Sequence, residues 1–412
     1  MTPKTFYVIG GNCPRSKEDA QTIFNYFLTN GLKPVKKIKK ADMICIYTCG
    51  GFNHTEEISI KTIQGILQQK SKNASIIVTG CLTRINPGSI CNIDGIKIID
   101  LYTLEDLDEI IHSKIKFKQI PNAGTIGSIP PLYKINKIKK LNNLLSNPNF
   151  IKNISKLDYL NSLKNYLKNK NFRNNNQLNN KDIYHIRIAR GCLSSCSYCS
   201  IKLAHGHLQS KPIEQIQKDF EEGLKKGYKT FKLIGQDIGC YGIDIKTNIV
   251  EILKIFFILP GENKIIINDF NPKWLIKYYD QLEPLFIANH KKILSLLIPI
   301  QSGSNNILQT MRRGYKIEEV KRCISTLREK IPNLKIRTHI IVGFPGETKE
   351  DFQQTLNLLK EIQFFSVYVF SYSDRSVTEA FKMKDKISSD VILERMKQIY
   401  KMNINIEEKI VI

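Results

Sequence analysis

Long apolar runs, abundant cysteine and an acidic surplus are all missing from this 412-residue sequence. No segment reaches the ~18 unbroken apolar residues that a membrane-spanning helix needs. The start, MTPKTFYVIGG, lacks the charged region and the apolar run of a signal peptide. Ten cysteines are too few for a disulfide scaffold in a chain of this length. We therefore expect a cytoplasmic protein, neither integral to a membrane nor secreted.

The scarcity of acidic residues leaves a strongly basic chain. Lys and Arg total 62 against 38 Asp and Glu, which gives a net charge of +24. Such a surplus favours contact with a polyanion such as RNA or the ribosome. Lys, Asn and Ile are all abundant, however, so a compositionally biased genome would produce the same charge without any functional pressure. Both interpretations stay open.

The first third of the chain alternates short apolar strands with helical patterns. We predict strands over Thr5–Ile9, Ala41–Tyr47 and Ser75–Thr79, and helices over Ser16–Leu28, capped by Ser16, and Asn53–Gln68. Repeated βα units with apolar strands predict a parallel sheet flanked by helices, a Rossmann-like α/β domain over residues 1–133.

Three cysteines each follow one of these strands: Cys13, Cys49 and Cys81. Ligands of such sheets bind outside the carboxyl ends of the strands, so we expect the three thiols at the same edge. They are 36 and 32 residues apart, a spacing that no local zinc motif requires. Alternatively, cysteines are common buried residues, and this is our interpretation of Cys45 and Cys91.

A different composition occupies residues 134–181, with 11 Lys or Arg, 15 Asn and one acidic residue. We interpret this segment as a basic interdomain linker, with low complexity at its end. The functional alternative is an element that binds RNA or a partner.

The βα alternation returns at residue 182 and continues to 412. Strands are predicted over Ile183–Ala189, Thr230–Ile234, Lys264–Ile267, Leu294–Ile298, Lys335–Val342 and Ser366–Phe370, with helices between them and a final helix over Asp390–Met402. Six such units predict a partial (β/α)6 TIM-type barrel with its site at the carboxyl ends of the strands.

The segment GCLSSCSYC, directly after the first of these strands, places Cys192, Cys196 and Cys199 in a C-x3-C-x2-C arrangement. Three thiolates can bind three irons of a cubane cluster and leave the fourth iron without a protein ligand. A closed zinc site would need a fourth ligand, which His205 or His207 could supply.

This spacing resembles the radical S-adenosylmethionine (SAM) superfamily. The resemblance implies that the open iron binds SAM, whose reductive cleavage yields a radical that abstracts hydrogen from the substrate. It also implies that Tyr198 packs near the adenine of SAM.

Further segments resemble the radical-SAM methylthiotransferases: LIGQDIGCYG (233–242), IPIQSGSNNILQTMRRGY (298–315), HIIVGFPGET (339–348), GGNCPRSKEDA (10–20), YTCGGF (47–52) and VTGCLTR (78–84). The resemblance implies that Cys13, Cys49 and Cys81 hold a second 4Fe-4S cluster, which carries the sulfur to be transferred. It also implies that SAM is both methyl donor and radical source. The implied electron donor is a protein such as flavodoxin or ferredoxin.

Other cofactor-binding candidates lie where predicted strands end: Gln236, Gln301, Ser302, Gly303, Gly343, Pro345 and Gly346. Alternatively, the QSG segment is an ordinary strand-to-helix turn, and Gln236 and Asp237 form a loop cap. Arg312 and Arg313 either contact substrate or cofactor or make exposed salt bridges. We assign Cys240 and Cys323 to packing.

Within the family, CPRSKEDA, TCGGF and QDIGCYGIDIK are most similar to the RimO branch, which acts on an aspartate of a ribosomal protein. We therefore expect a methylthio group to be inserted at an unactivated carbon of a protein or peptide side chain. The alternatives are a tRNA adenosine as substrate and, from another class, an RNA-binding protein with structural clusters. The chain stops at KMNINIEEKIVI, so we expect no TRAM domain, the small β-barrel that follows in family members.

Overall fold

The computed structural model of this chain describes residues 3–11, 13–125, 129–130, 132, 182–402, 404 and 406. The predicted linker over 134–181 lies outside the described residues, so the domain boundaries on either side of it stay predictions. In the part of the chain that is described, no helix is both long enough and apolar enough to cross a membrane.

The described strands are β1 (Thr5–Ile9), β2 (Lys33–Pro34), β3 (Met43–Thr48), β4 (Ser75–Gly80), β5 (Lys97–Ile98), β6 (Ile183–Arg187), β7 (Ala189–Arg190), β8 (Gln209–Ser210), β9 (Thr230–Ile234), β10 (Lys264–Ile267), β11 (Ile293–Leu297), β12 (Ile336–Val342) and β13 (Ser366–Ser371).

The described α-helices are α1 (Pro14–Thr29), α2 (Asn53–Gln69), α3 (Leu82–Ile85), α4 (Leu107–Ile110), α5 (Ile201–His205), α6 (Ile213–Lys225), α7 (Ile249–Ile258), α8 (Pro272–Lys277), α9 (Tyr279–Ala288), α10 (Asn305–Thr310), α11 (Ile317–Lys330), α12 (Lys349–Ile362) and α13 (Ser389–Lys401).

The amino-terminal sheet has the order β2-β1-β3-β4-β5, and its strand pairs are all parallel. The central strand β3 is buried at every residue because apolar clusters cover both faces of the sheet. Successive residues of β3 alternate between the two clusters: Cys45 and Tyr47 pack on one face, and Ile44 and Ile46 on the other. This arrangement confirms the predicted α/β architecture.

The first helix begins two residues earlier than predicted, and its cap is Cys13 rather than Ser16. Pro14 occupies the first helical position, where its fixed φ angle favours the helical turn and its missing N–H costs no hydrogen bond. The backbone N–H of Ser16 donates to Sγ of Cys13 at 3.4 Å. The prediction was wrong because Ser is a far commoner cap than Cys.

The second sheet has the order β13-β12-β11-β10-β9-β6, again with parallel pairs throughout. It is the partial barrel that the sequence predicts. Residues facing the helices are fully buried in one large core, for example Phe231, Leu233, Ile265 and Ile267.

The opposite, inward face is mixed: His185, Arg187, Ile266 and Ile341 are buried. Others on it, or directly after it, are only half-buried: Lys232, Asn268, Arg337, His339, Tyr368 and Phe370. Since inward-facing residues alternate with core residues along each strand, the half-buried ones place polar and aromatic side chains in the barrel interior.

Candidate functional site

The first three cysteines follow three neighbouring strands of the amino-terminal sheet. Cys13 caps α1 just after β1, while Cys49 and Cys81 come directly after β3 and β4. Burial raises the pKa of Cys81 well above its usual value, and the nearby Cys49 and Cys13 raise it further. The structure thus brings these three thiols, the first triad, to one sheet edge.

The close approach of β3 and β4 at this edge depends on Gly80. Its φ angle is +104°, a conformation that favours glycine, and a Cβ atom there would lie 2.5 Å from the carbonyl oxygen of Thr48. The backbone N–H of Cys81 donates to that same oxygen at 3.1 Å. Gly80 therefore allows Cys81 to lie beside the end of β3, the strand that Cys49 directly follows.

The second triad, Cys192, Cys196 and Cys199, lies on the loop between β7 and α5. A hydrogen bond from Cys240 lowers the pKa of Cys192 to about 7. Burial raises the pKa of Cys199 to about 11, and the neighbouring Cys196 adds to that rise. The thiolate is the metal-binding form of cysteine, and the surroundings of Cys192 favour that form while those of Cys199 oppose it.

Two groups contact this triad: Cys240, assigned to packing from the sequence, and Arg313, for which the sequence leaves two interpretations open. Cys240 is buried, as predicted, but its thiol also interacts with Cys192. Arg313 is buried rather than exposed, and its Nη1 donates to Sγ of Cys196 at 3.2 Å. The available signal was position, since Cys240 follows β9 at the same sheet edge as Cys192.

The loop after β9 contacts a residue next to the first triad at one end and a cysteine of the second triad at the other. Arg15, two residues after Cys13, donates from Nη1 to the carbonyl oxygen of Gly235 at 3.0 Å and to Oδ2 of Asp269 at 2.9 Å. At the other end of the same loop, Cys240 contacts Cys192. Residues 235–240 therefore span from the first triad to the second.

Gln236 lies on this loop with both polar atoms of its side-chain amide buried and without a hydrogen-bond partner. Buried amides without partners are rare because the unmet hydrogen bonds cost free energy. Asp237, in contrast, accepts from Nε1 of Trp274 at 2.9 Å and caps the turn over Ile238–Cys240. The loop-cap interpretation is thus confirmed for Asp237, whereas Gln236 has bonding capacity for a bound group.

The QSG segment is held mainly by structural contacts. Gln301 has a φ angle of +82° and its backbone N–H donates to the carbonyl oxygen of His339 at 2.8 Å. The backbone N–H of Gly303 donates to Oγ1 of Thr355 at 2.9 Å, and Ser302 Oγ lies 3.4 Å from that hydroxyl. A Cβ at Gly303 would meet the backbone of α12 at 2.6 Å, so close helix packing explains this glycine.

The remaining SAM-site candidates lie on either side of α10. Tyr198 is partly buried and packs edge-to-face on Phe344, with ring centroids 6.4 Å apart. Pro345 and Gly346 line a cavity of about 250 Å³. Gly343 has a left-handed φ of +80°, and its backbone N–H donates to Oε2 of Glu347 at 2.8 Å. A role for these residues in SAM binding stays a prediction.

Neither of the histidines considered as a fourth zinc ligand completes a metal site with the second triad. His205 Nε2 lies 3.5 Å from Sγ of Cys81, in the first triad, and His207 is exposed. Burial lowers the pKa of His205 to about 3, so its imidazole is neutral. Cys91, expected to be buried, is exposed.

Among the residues that the structure describes, no three His, Cys, Asp or Glu side chains converge closely enough to hold one metal ion. In a cubane cluster each thiolate binds a different iron, so the ligands stand further apart than around one ion. The thiol donors, the guanidinium at Cys196 and the unpaired amide of Gln236 together fit an anionic iron–sulfur cluster with a bound organic cofactor.

A buried ion network fixes the two domains against each other beneath the first triad. Arg187 of β6 lies 2.6 Å from Glu18 and 3.0 Å from Asp19 of α1, all almost fully buried. Arg190 lies 2.6 Å from the same Asp19 carboxylate. Burial raises the pKa of Asp19, but Arg187 and Arg190 outweigh that effect and hold the pKa below its usual range.

Replacing Arg187 by methionine is therefore expected to lower the free energy of unfolding by about 3–5 kcal/mol, because the buried Glu18 loses its ion-pair partner and Asp19 loses one of its two. Urea unfolding would measure the loss. The matched control is Lys61→Met, since Lys61 pairs with Glu57 on an exposed helix surface and such pairs contribute about 1 kcal/mol or less. Equal losses in the two variants would contradict a structural role for the network.

Comparisons with known proteins agree with this geometry. Residues 186–359 match the radical SAM superfamily, and residues 5–99 match the uncharacterized protein family UPF0004. The chain is 29% identical over 98% of its length to a probable threonylcarbamoyladenosine tRNA methylthiotransferase from Pyrococcus horikoshii, and covers 85% of that protein. It is 30% identical, over 98% of its length and 82% of the relative, to the ribosomal protein uS12 methylthiotransferase RimO of Natranaerobius thermophilus.

A solved structure shares the fold. The radical SAM methyltransferase TsrM of Kitasatospora setae, with cobalamin and a [4Fe-4S] cluster bound, superposes with a TM-score of 0.59 at 11% identity. The match covers 92% of this chain and 77% of TsrM. Both domains of the present chain thus have counterparts in known proteins. The chain belongs to the radical-SAM methylthiotransferases, enzymes that use SAM, a 4Fe-4S cluster and an additional cluster.

Proposed function

We propose that this enzyme transfers a methylthio group to an unactivated carbon of a protein or peptide side chain. The observation that carries the proposal is a contact between two segments with RimO-like sequence. Arg15 of CPRSKEDA donates to the carbonyl oxygen of Gly235, directly before QDIGCYG. The segments most similar to the RimO branch therefore contact each other, and in this proposal the substrate lies beside that contact, between the two triads.

In this proposal, Cys192, Cys196 and Cys199 hold the SAM-binding cluster and Cys13, Cys49 and Cys81 hold the auxiliary cluster. The bound cofactors supply hydrogen abstraction, a methyl group and the sulfur to be transferred. The protein residues bind and orient. Gln236 offers an amide donor and acceptor between the triads, and Arg15 holds its loop in place.

In this proposal, the domain interface shields the reacting carbon from one side. Phe52, next to the first triad, stacks on Phe370 of the barrel interior, with ring centroids 6.1 Å apart and planes 8° from parallel. Arg375 donates to Oδ1 of Asn53 at 2.7 Å and to Oε2 of Glu56 at 2.5 Å, which fixes this side of the interface. Exclusion of water protects a reactive intermediate from side reactions.

A tRNA adenosine is the second candidate substrate, and a different observation favours it. The barrel interior places His339 edge-to-face against Tyr368 and against Phe370, each with ring centroids 5.2 Å apart. Aromatic side chains of this kind stack unpaired bases. The net charge of +24 would also favour a polyanion. Membership of an enzyme family disfavours the third alternative, an RNA-binding protein with structural clusters.

One experiment separates the two substrates. Anaerobically reconstituted enzyme with SAM and dithionite is incubated with ribosomal protein uS12 and host peptides, and in parallel with tRNA from a host lacking the gene. We expect mass spectrometry to find one hydrogen replaced by a methylthio group on a polypeptide. A 2-methylthio-adenosine derivative in the tRNA arm alone would overturn the proposal in favour of tRNA.

Arg15→Gln tests the contact that carries the proposal. Loss of the bonds to Gly235 and Asp269 is expected to misplace the loop between the triads, so methylthio transfer should fall by up to about a hundredfold. Formation of 5′-deoxyadenosine should fall much less, because the second triad is untouched. The matched control is Arg84→Gln, since Arg84 pairs with Asp100 and touches neither residue. Equal losses in both products would count against a positioning role for Arg15.

A further inference from the structure

Arg313 is a buried cation to which the proposed function assigns no role. Its Nη1 donates to Sγ of Cys196 at 3.2 Å, although the two residues are 117 positions apart in the chain. Its other hydrogen-bond partners are neutral: Nη2 donates to the carbonyl oxygen of Pro299 at 2.8 Å, and Nε to the hydroxyl of Tyr315 at 3.3 Å. The buried carboxylate of Asp237 lies close enough to interact with the guanidinium electrostatically.

Several contacts hold the guanidinium in this place. The Tyr315 hydroxyl donates to the carbonyl oxygen of Ile300 at 2.5 Å, so both Arg313 and its partner are anchored to the end of β11. The backbone N–H of Arg313 donates to the carbonyl oxygen of Leu308 at 2.9 Å. The preceding residue, Arg312, has a left-handed φ of +56° and is exposed. This turn directs the Arg312 side chain toward solvent and the Arg313 side chain into the protein interior.

We propose that Arg313 is a positioning residue that holds a positive charge against the Cys196 thiolate and thereby makes the SAM-binding cluster easier to reduce. Reduction adds negative charge to the cluster, and a fixed cation at a ligand sulfur stabilises the reduced form. Hydrogen bonds to the sulfurs and the local charge both set the reduction potential of such clusters. The buried position strengthens the effect because the local dielectric is low.

The inference rests on the assignment of Cys196 as a cluster ligand but not on the identity of the substrate. If the proposed protein substrate is wrong, the cluster potential still reports on Arg313. If Arg313 has no effect on the potential, the substrate assignment is unaffected. The two proposals can therefore fail independently.

The test uses the full chain with Cys13, Cys49 and Cys81 replaced by alanine, so that one cluster alone contributes to the signal. Arg313→Gln, Arg313→Lys and the control Arg312→Gln are reconstituted, assayed for iron, and titrated potentiometrically with detection by electron paramagnetic resonance. We expect Arg313→Gln to keep its iron and to lower the equilibrium constant for reduction at least about tenfold, which is about 59 mV for one electron. Arg313→Lys should fall between Gln and wild type, and Arg312→Gln should match wild type.

Several outcomes would overturn the proposal. One is an Arg313→Gln variant with full iron and the wild-type potential. Another is an equal shift in Arg312→Gln, which would indicate a general charge effect. If Arg313→Gln alone loses its iron, the equally uncharged Arg313→Met replaces it in the titration, and a wild-type potential there would refute the role. Loss of iron in both Arg313 variants would make the residue a structural anchor of the loop instead.

Discussion

Replacing Cys192, Cys196 and Cys199 together by alanine is expected to reduce 5′-deoxyadenosine formation to the level seen without enzyme. Reconstituted wild-type protein should bind about eight irons and eight sulfides, and this variant about four of each, because one of two cubane clusters loses its ligands. The measurements are iron and sulfide content and chromatography of the SAM products after addition of dithionite.

The control for this variant is Cys91→Ala, which removes an exposed thiol outside both triads. It should keep about eight irons, two cubanes of four, and full SAM cleavage. If the triple variant retained all its iron, these three cysteines would not be cluster ligands. If it lost its iron but still formed 5′-deoxyadenosine, the radical would have to originate elsewhere.

Replacing Cys13, Cys49 and Cys81 by alanine should have a different effect. Iron content should again fall from about eight to about four, but 5′-deoxyadenosine should still form since the second triad is intact. Methylthio transfer to any substrate should become undetectable, and S-adenosylhomocysteine should disappear, because in the proposed function the sulfur that accepts the methyl group belongs to the lost site.

Folding must be checked in this second variant, since Cys81 is buried and contacts His205 of the barrel domain. Cys45→Ala is the matched control, because Cys45 is equally buried in the same domain but lies within β3. A triple variant that keeps all its iron while the control behaves as wild type would refute the auxiliary cluster. The protein would then be a radical-SAM enzyme with one cluster.

The sequence by itself determined both sheets and the positions of both triads. Strand periods, helix patterns and the C-x3-C-x2-C spacing are local properties, so they could be read without knowledge of any distant contact. Strands Thr230–Ile234 and Lys264–Ile267 have the predicted bounds. The rule that parallel strands end at one edge was enough to group Cys13, Cys49 and Cys81.

Only the tertiary structure decided which groups surround the thiols. Arg313 contacts Cys196, which is 117 positions away in the sequence. His205 lies beside Cys81, 124 positions away, rather than with the second triad. Likewise, Gly303 packs closely against α12. The direction of a side chain at a strand end depends on how helices and domains dock, and docking is set by the whole packed core rather than by any local pattern.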